Sequence, residues 1–422
     1  MSEVQEFIQL GEVAEITMGQ SPDASGYNTD ERGLPFLQGC EEFGKYSPST
    51  NVYCSPPLRT SKPNSILISV RAPVGKTNWG EQSYCIGRGL AAIKARPEYA
   101  DTNFISYAIN QSISFLHHRS QGSTFLAIGA HDLKIFPVPS ISCQKQQKIS
   151  SILESIDRAI AHTEALIEKY PQIKAGLIHD LFTRGIGADG KLRPSHEEAP
   201  ELYQESAIGW IPREWKLSQL SSTYKYPIRD FGSFSSTNLI AFLEEGIPFI
   251  KSEMIKEEEV DWTNLSYISQ RVHVLLAKSH VKSGQILFSK IGSALGKAVL
   301  YSGDRGICNS NAAIAKIEAD ESIVEPQFLE IFLNSSLARK QFELMIVSLL
   351  PRINLGDINK LLIQLPEIAE QKLICSRYDS LKKKIRSEKK SLHKLYKQKQ
   401  GLMRDLLTGK VLVKANPDEV EP

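Results

Sequence analysis

The sequence predicts an α+β fold written twice. Two similar, loop-rich domains are each followed by a long helix, and the two helices pack as an antiparallel coiled coil about an internal pseudo-twofold axis. Three observations predict this. First, the phrase G-L-[IM]-x-D-L-[LF]-T occupies residues 176–183 and again 401–408, placing Asp180 and Asp405 225 residues apart. Second, further matches precede each copy in one order: QQKIS (146–150) with EQKLI (370–374), FISYAINQS (104–112) with FLEIFLNSS (328–336), NSILIS (64–69) with GQILFS (284–289), and GLPFLQG (33–39) with GIPFIKS (246–252). Ordered self-similarity at a long, slowly drifting offset marks duplication of a whole unit. Third, the apolar positions before each copy step by three and four over at least four heptads, the pattern of a coiled-coil seam.

The elements follow in chain order. A chain of 422 residues, 41% hydrophobic and 23% charged, can bury the cores of two to four domains. Residues 1–143 mix short apolar runs with Gly, Pro, Ser and Asn; SILISV reads as a strand and FISYAIN as a short helix. Residues 144–185 form the first long helix, with the seam Ile149, Ile152, Ile156, Ala159, Thr163, Leu166, Tyr170, Ile173 and Leu177, and with Pro171 expected to kink it. Residues 186–204, rich in Gly, Pro and acid, read as a linker. IGWIPREW opens a second domain over 205–366, in which QILFSK is a strand and FLEIFLN a helix. Residues 367–410 form the second long helix, with the seam Ile374, Tyr378, Leu381, Ile385, Glu388, Leu392, Leu395, Lys399, Leu402 and Leu406; 411–422 are a tail. Each helix spans roughly 50–60 Å at about 1.5 Å per residue. One apolar stripe cannot stabilise such a helix alone. A whole domain separates the two, so they are expected to meet antiparallel; the alternative is that each packs on its own domain or on another subunit.

Composition narrows the function. The first seven residues have no basic start and no apolar core, so no secretory signal is expected, and no run approaches the roughly 18 apolar residues of a membrane span. The six cysteines, Cys40, Cys54, Cys85, Cys143, Cys308 and Cys375, are scattered without C-x-x-C or zinc spacing. They read as free thiols in a reducing cytoplasm. A net charge of +2 does not announce nucleic acid, but residues 377–404 carry eleven Lys and Arg against Asp379 and Glu388, a local +9. That face reads as solvated or partner-facing ahead of phosphate-facing. APVGKT (72–77) has the end of a phosphate-binding loop, yet Val70 stands where its first glycine belongs; the repeat copy SALGKA (293–298) also lacks that glycine and ends in Ala298 in place of Ser or Thr. A β-turn with a solvated lysine is the expectation for both. His117-His118 has no acidic or Cys partner beside it, and Glu388-Lys389-Lys390 lies on the basic helix, away from any strand. Neither a nucleophile elbow, nor a dinucleotide loop, nor an [ND]-P-P-[FY] tetrapeptide is present. The expectation is a chain with no catalytic residues and no metal.

Recognition remains. The loops at 20–33, 119–129 and 348–356 mix Arg, Gln, Asn, Ser, Thr and Tyr. Arg reads guanine and Asn or Gln reads adenine in the major groove, while Lys and hydroxyls hold phosphate. The candidate DNA contacts are Gln20, Ser21, Tyr27, Lys45, Arg71, Lys76, Arg119, Gln121, Ser123 and Thr124 in the first domain. In the second they are Lys251, Lys290, Lys297, Asn309, Asn311, Arg352 and Asn354. Solvated turns have the same composition.

Two variable α+β domains with ILIS…GK before each helix, IPREW at 211–215, and a DL-x-T phrase closing both helices resemble the specificity (S) subunit of type I restriction–modification systems. The resemblance covers nearly the whole chain. It implies that each domain is a target recognition domain reading one half of a split, asymmetric DNA site, and that the helices are the spacer between them. It implies two methyltransferase subunits around the frame and restriction subunits joining them. The chain itself would bind no cofactor; S-adenosylmethionine, ATP and Mg²⁺ would belong to those partners. The competing classes are a coiled-coil scaffold without sequence preference and a stand-alone DNA methylase or nuclease. Pro171 departs from a straight spacer, and TRGI (183–186) against TGKV (408–411) shows that the helix ends differ.

Overall fold

The structure, a computed structural model, describes residues 6–120, 127–231, 240–346 and 351–413. The chain divides into two compact units, residues 1–165 with 389–422, and residues 166–388. The boundary falls inside both long helices, so each unit combines one α+β domain with a segment of each helix.

In the first unit Ala14–Met18, Leu90–Ala95, Ser65–Ser69 and Thr77–Gly80 form an antiparallel sheet in that order. Ser65–Ser69 is buried along its length, as expected of a continuous apolar run covered on both faces. A second sheet orders Tyr27–Asn28, Tyr53–Cys54, Leu34–Leu37 and Cys85–Ile86, the last pair parallel. Helix Thr102–Gln111 starts at Asp101, whose carboxylate accepts from Phe104 N at 2.8 Å, a side-chain cap of the usual kind. It buries Phe104, Ile105 and Ile109 in a core shared with Ile66, Ile93, Ile149 and Leu153.

The second unit repeats the plan. Ala298–Leu300, Ile286–Ser289 and Ile314–Ile317 form one sheet. Ser266–Ile268, Ile247–Ile250, Cys308–Ser310 and His280–Val281 form the other, with Ile247–Ile250 parallel to Cys308–Ser310. Helix Pro326–Leu333 packs Phe328 and Phe332 against Phe182, with ring centroids at 4.8 and 5.9 Å. Burying each such ring contributes roughly 1.5–3 kcal/mol.

Cys143–Thr183 and Ile368–Leu407 are the long helices, and Pro171 lies inside the first without ending it. They run antiparallel within each unit. In the first, Asp157 pairs with Lys399 at 2.6 Å while Glu164, further along, accepts from the Tyr396 hydroxyl. In the second, the Ile186 amide donates to Glu370, and Lys174 sits over the Tyr378 ring at 5.7 Å. The seam of the second helix lies where the sequence places it, and its charged members are compensated: Glu388 by Lys384 at 2.8 Å, Lys399 by Asp157. On the first helix the expected seam is partly out of register. Leu153 and Ile160 are buried in place of Ile152 and Ala159, and Ile173 is 45% exposed while Lys174 turns inward to Glu258 at 2.6 Å. Ile152 and Ala159 are apolar neighbours of the true seam, so stepping by three and four fits either row.

One clamp ties each helix start to its domain. Gln146 Nε2 donates to Tyr99 O and Ile141 O and its oxygen accepts from Asp101 N; Gln371 does the same with Ile323 O, Pro366 O and Glu325 N. The two glutamines are 225 residues apart, the offset of the Asp180/Asp405 phrase. The QQKIS match therefore shifts by one: Gln146 answers to Gln371, not to Glu370.

Residues 186–204, read as a linker, are folded onto the second unit. Ile186 bridges Leu192, and Arg193 pairs with Glu370 at 2.5 Å and Glu214 at 2.9 Å. At Gly185, with φ +64°, a Cβ would lie 2.3 Å from both Glu370 and Trp215, so only glycine fits there.

Candidate nucleic-acid interface

The same two loops meet in both units. After Ser65–Ser69 the chain turns, and Arg71 forms a bridge with Ala127 while Ile128 N donates to Val70 O at 2.9 Å. After Ile286–Ser289 the equivalent turn brings Ile291 to Arg352, and Ile353 N donates to Lys290 O at 3.0 Å. Each turn is closed by a serine and a left-handed glycine: Gly75 N donates to Ser69 O and Gly296 N to Ser289 O, both at 2.9 Å, with φ of +86° and +81°. The phosphate-loop-like sequences are thus tight turns between strands, as expected. Lys76 is exposed, its amine 3.4 Å from Cys40 O, and Lys297 is half-buried.

In the first unit the loops form one connected surface. Gln20 N donates to Ile86 O, the Ser21 hydroxyl donates to Gln38 at 3.1 Å, and Val70 N donates to Gly89 O. Exposed Arg88, which the sequence reading missed, therefore sits between Ser21 and Arg71. Arg119 ends the helix Ser114–Arg119 with its guanidinium 4.6 Å from the Phe115 ring, and His117 of that helix lies 3.1 Å from Val74 O in the turn. Both histidines are exposed, and His118 Nδ1 lies 2.6 Å from Ser114 O one helical turn back. Gln121, Ser123 and Thr124 lie outside the described residues. Tyr27 is half-buried against Phe36, centroids 4.7 Å apart, and its hydroxyl donates to Pro22 O. Lys45 pairs with Glu164 at 2.7 Å.

In the second unit Arg352 and Asn354 are exposed, and Asn354 caps the helix Leu355–Lys360. Asn311 is half-buried, its carboxamide accepting from Ala313 N at 3.2 Å, and Lys251 lies 4.5 Å from the Phe242 ring. Two candidates sit in the interior instead. Asn309 is fully buried; its oxygen accepts from His273 Nδ1 at 2.5 Å and its nitrogen donates to Ser279 and Leu276 O. Lys290 is buried and pairs with Asp230 at 2.7 Å. Both side chains are used to hold the domain together.

Among the described residues no group of three or more His, Cys, Asp or Glu could hold a metal, no cysteine is bonded, and no helix is long and apolar enough to cross a membrane.

A family model for the "Type I restriction modification DNA specificity domain" matches residues 1–171 and again 213–397. The chain is similar to the type I restriction enzyme MjaVIII specificity subunit of Methanocaldococcus jannaschii, 25% identical over 335 residues, 77% of this chain and 74% of that one. It is similar to the EcoBI specificity subunit of Escherichia coli, 22% identical over 390 residues, 89% of this chain and 78% of that one. A putative MjaX specificity subunit is 37% identical over 183 residues, spanning 43% of each chain. The fold is shared with the HsdS subunit of Thermoanaerobacter tengcongensis, with a TM-score of 0.54, 14% identity and coverage of 97% of this chain and 98% of that one. It is also shared with the S subunit of M. genitalium, with a TM-score of 0.53, 15% identity and coverage of 96% and 97%. With two copies of the family model over most of its length, the chain belongs to the type I restriction–modification DNA specificity family, whose members are the non-catalytic specificity subunits of these systems.

Proposed function

We propose that this chain reads a bipartite, asymmetric DNA site, with residues 1–143 and 205–366 as its two target recognition domains. The long helices set the gap between the half-sites. The frame holds two methyltransferase subunits and, through them, restriction subunits; S-adenosylmethionine, ATP and Mg²⁺ are used by those partners, in the cytoplasm. The observation that carries the reading is the loop pair built twice on one plan with different side chains: Arg71 beside Ala127 in one unit, Ile291 beside Arg352 in the other. A constant scaffold presenting unlike residues at matching places is what two unlike half-sites require, because base edges are told apart by side-chain donors and acceptors. The exposed members outside ion pairs, Gln20, Arg71, Lys76, Arg119, Arg352 and Asn354, are the base or phosphate contacts, with Arg88 added; exposed Lys45 is paired with Glu164.

The test is co-expression with the methyltransferase subunit and sequencing of the modified bases. Replacing residues 1–143 by the corresponding domain of another family member should change one half of the methylated site and leave the other. An unchanged site makes the chain a scaffold without sequence preference. Modification or cleavage by the purified chain alone makes it an enzyme.

A further inference from the structure

A cavity of about 440 Å³ in the second unit is lined by Arg229, Lys278, His280, Lys282, Lys316 and Glu318. Four cationic side chains and the Glu318 carboxylate line it. Arg229 and Lys316 stand directly opposite each other on neighbouring strands, their backbones exchanging hydrogen bonds of 3.2 and 2.7 Å. Like charges in such a cross-strand pair destabilise the sheet. Among the described residues, no carboxylate lies within ion-pair distance of Arg229, Lys278, Lys282 or Lys316. Lys316 is 5% exposed; its amine donates to Asp230 O at 3.0 Å and Ser310 Oγ at 3.4 Å. Burial pulls its pKa down to about 8; the nearby Asp230 carboxylate opposes this, and Lys290 and Arg229 add to it.

The first unit lacks this cluster, although its inner strand pair has the same register; between Tyr224 and Arg229 the second unit's outer segment carries two residues more than the first unit has between Ala14 and Thr17. Thr17 opposes Ala92 and Ala92 opposes Leu67, where the second unit has Arg229, Lys316 and Leu287. The NSILIS/GQILFS match sets Leu58 against Lys278 and Lys62 against Lys282. Lys62 is neutralised by Glu15 at 2.5 Å, whereas the residue after Tyr224, which bridges Ala319 as Ala14 bridges Ala95, is Lys225. Among the described residues, a duplicated frame thus carries converging cations outside ion-pair distance of a carboxylate in one copy, and at the matching places of the other Thr17, Ala92, Leu58 and a Lys62 paired with Glu15.

We infer that this cavity is a binding site for a phosphate group, held by Arg229, Lys278, Lys282 and Lys316. An anionic phosphate entering there offsets the Arg229–Lys316 repulsion, and charge-assisted hydrogen bonds to a phosphate are of the strong kind. The group comes either from the DNA backbone or from a free phosphate or nucleotide. The first source rests on the proposed DNA-reading role; the anion site itself rests on the cavity alone.

The test uses the full chain and the variant Arg229→Gln/Lys282→Gln, both exposed positions, with thermal melting to verify folding; Lys316→Met serves as a second variant. Inorganic phosphate and a 5′-mononucleotide are titrated calorimetrically against chloride at matched ionic strength. Duplex binding by the complex with the methyltransferase subunit is followed against salt. If the DNA backbone occupies the cavity, the double variant lowers the magnitude of the slope of log Kobs against log[salt] by about 1–2. If a free phosphate occupies it, wild type binds the small anion at least about tenfold more tightly than either variant, and the slope is unchanged. The site is overturned if phosphate and nucleotide behave like chloride and the slope does not move. Absence of sequence-preferring binding by the wild-type complex would sink the proposed function, and the small-anion titration would still decide the cavity.

Discussion

At the scale of residues, a dense polar cluster surrounds Glu370. Its carboxylate accepts from Ile186 N at 2.8 Å, from Arg193 at 2.5 and 3.0 Å, and from Trp215 Nε1 at 3.2 Å. The Arg193 and Glu370 side chains are 12% and 13% exposed, so the pair is little screened by water. Glu370 raises the Arg193 pKa against the opposing pull of burial. Glu370→Ala leaves a buried guanidinium with the exposed Glu214 as its one ion-pair partner and the Arg184 carbonyl as its other acceptor, and an amide and an indole N–H without acceptors. A loss of about 3 kcal/mol is expected, read from urea unfolding with an unchanged slope. A loss below about 1 kcal/mol would mean that water replaces the carboxylate. None of this was legible in the sequence, because Arg193 sat in a stretch whose Gly, Pro and acid content reads as a linker and its partner lies 177 residues away. Asn309 and Lys290 illustrate the converse: residue types that suit DNA are also the types that satisfy buried polar groups.

Among the elements, the long helices were the most legible, since their periodicity is a property of the chain itself. The basic run on the second helix divides by environment. Lys382 pairs with Glu258 at 3.1 Å and Lys399 with Asp157, while Lys383, Lys389, Lys390, Lys394 and Lys397 are exposed. The phrase that occurs twice has a similar division. Leu181, Phe182, Leu406 and Leu407 are buried, whereas a Cβ at Gly176 or Gly401 would meet nothing within 4 Å. Gly176→Ala and Gly401→Ala should therefore each stabilise the chain by about 0.5–1 kcal/mol through helix propensity alone. Thermal and urea unfolding of the double variant check this, and destabilisation would show that the glycines relieve a clash. Thr183 and Thr408 close the two helices alike, each hydroxyl donating to the carbonyl four residues back. The duplicated phrase is thus a helix end with a buried apolar side.

For the whole molecule, the proposed gap-setting role of the helices makes a numerical prediction. Residues 143–165 pair with 389–407 in the first unit, so a turn added to one helix alone would slip the seam. Four residues inserted after Arg158 and four after Gln398 keep it and add about 6 Å, at ~1.5 Å per residue, close to two base pairs at about 3.4 Å each. Mapping methylated bases should show the gap widened and both halves unchanged; altered halves would refute the role. By itself, the sequence determined the duplication, the two long helices, the position of the second seam and the kind of protein to which that organisation belongs. Repeats and periodicity compare the chain with itself or with its near neighbours, and need no tertiary contact. Only the tertiary structure decided which candidate side chains are buried, that residues 186–204 are pinned to Glu370, and that Arg229, Lys282 and Lys316 converge on one cavity in one copy alone. Burial and ion pairing depend on residues tens to hundreds of positions apart meeting in space, and a one-dimensional pattern does not encode those meetings.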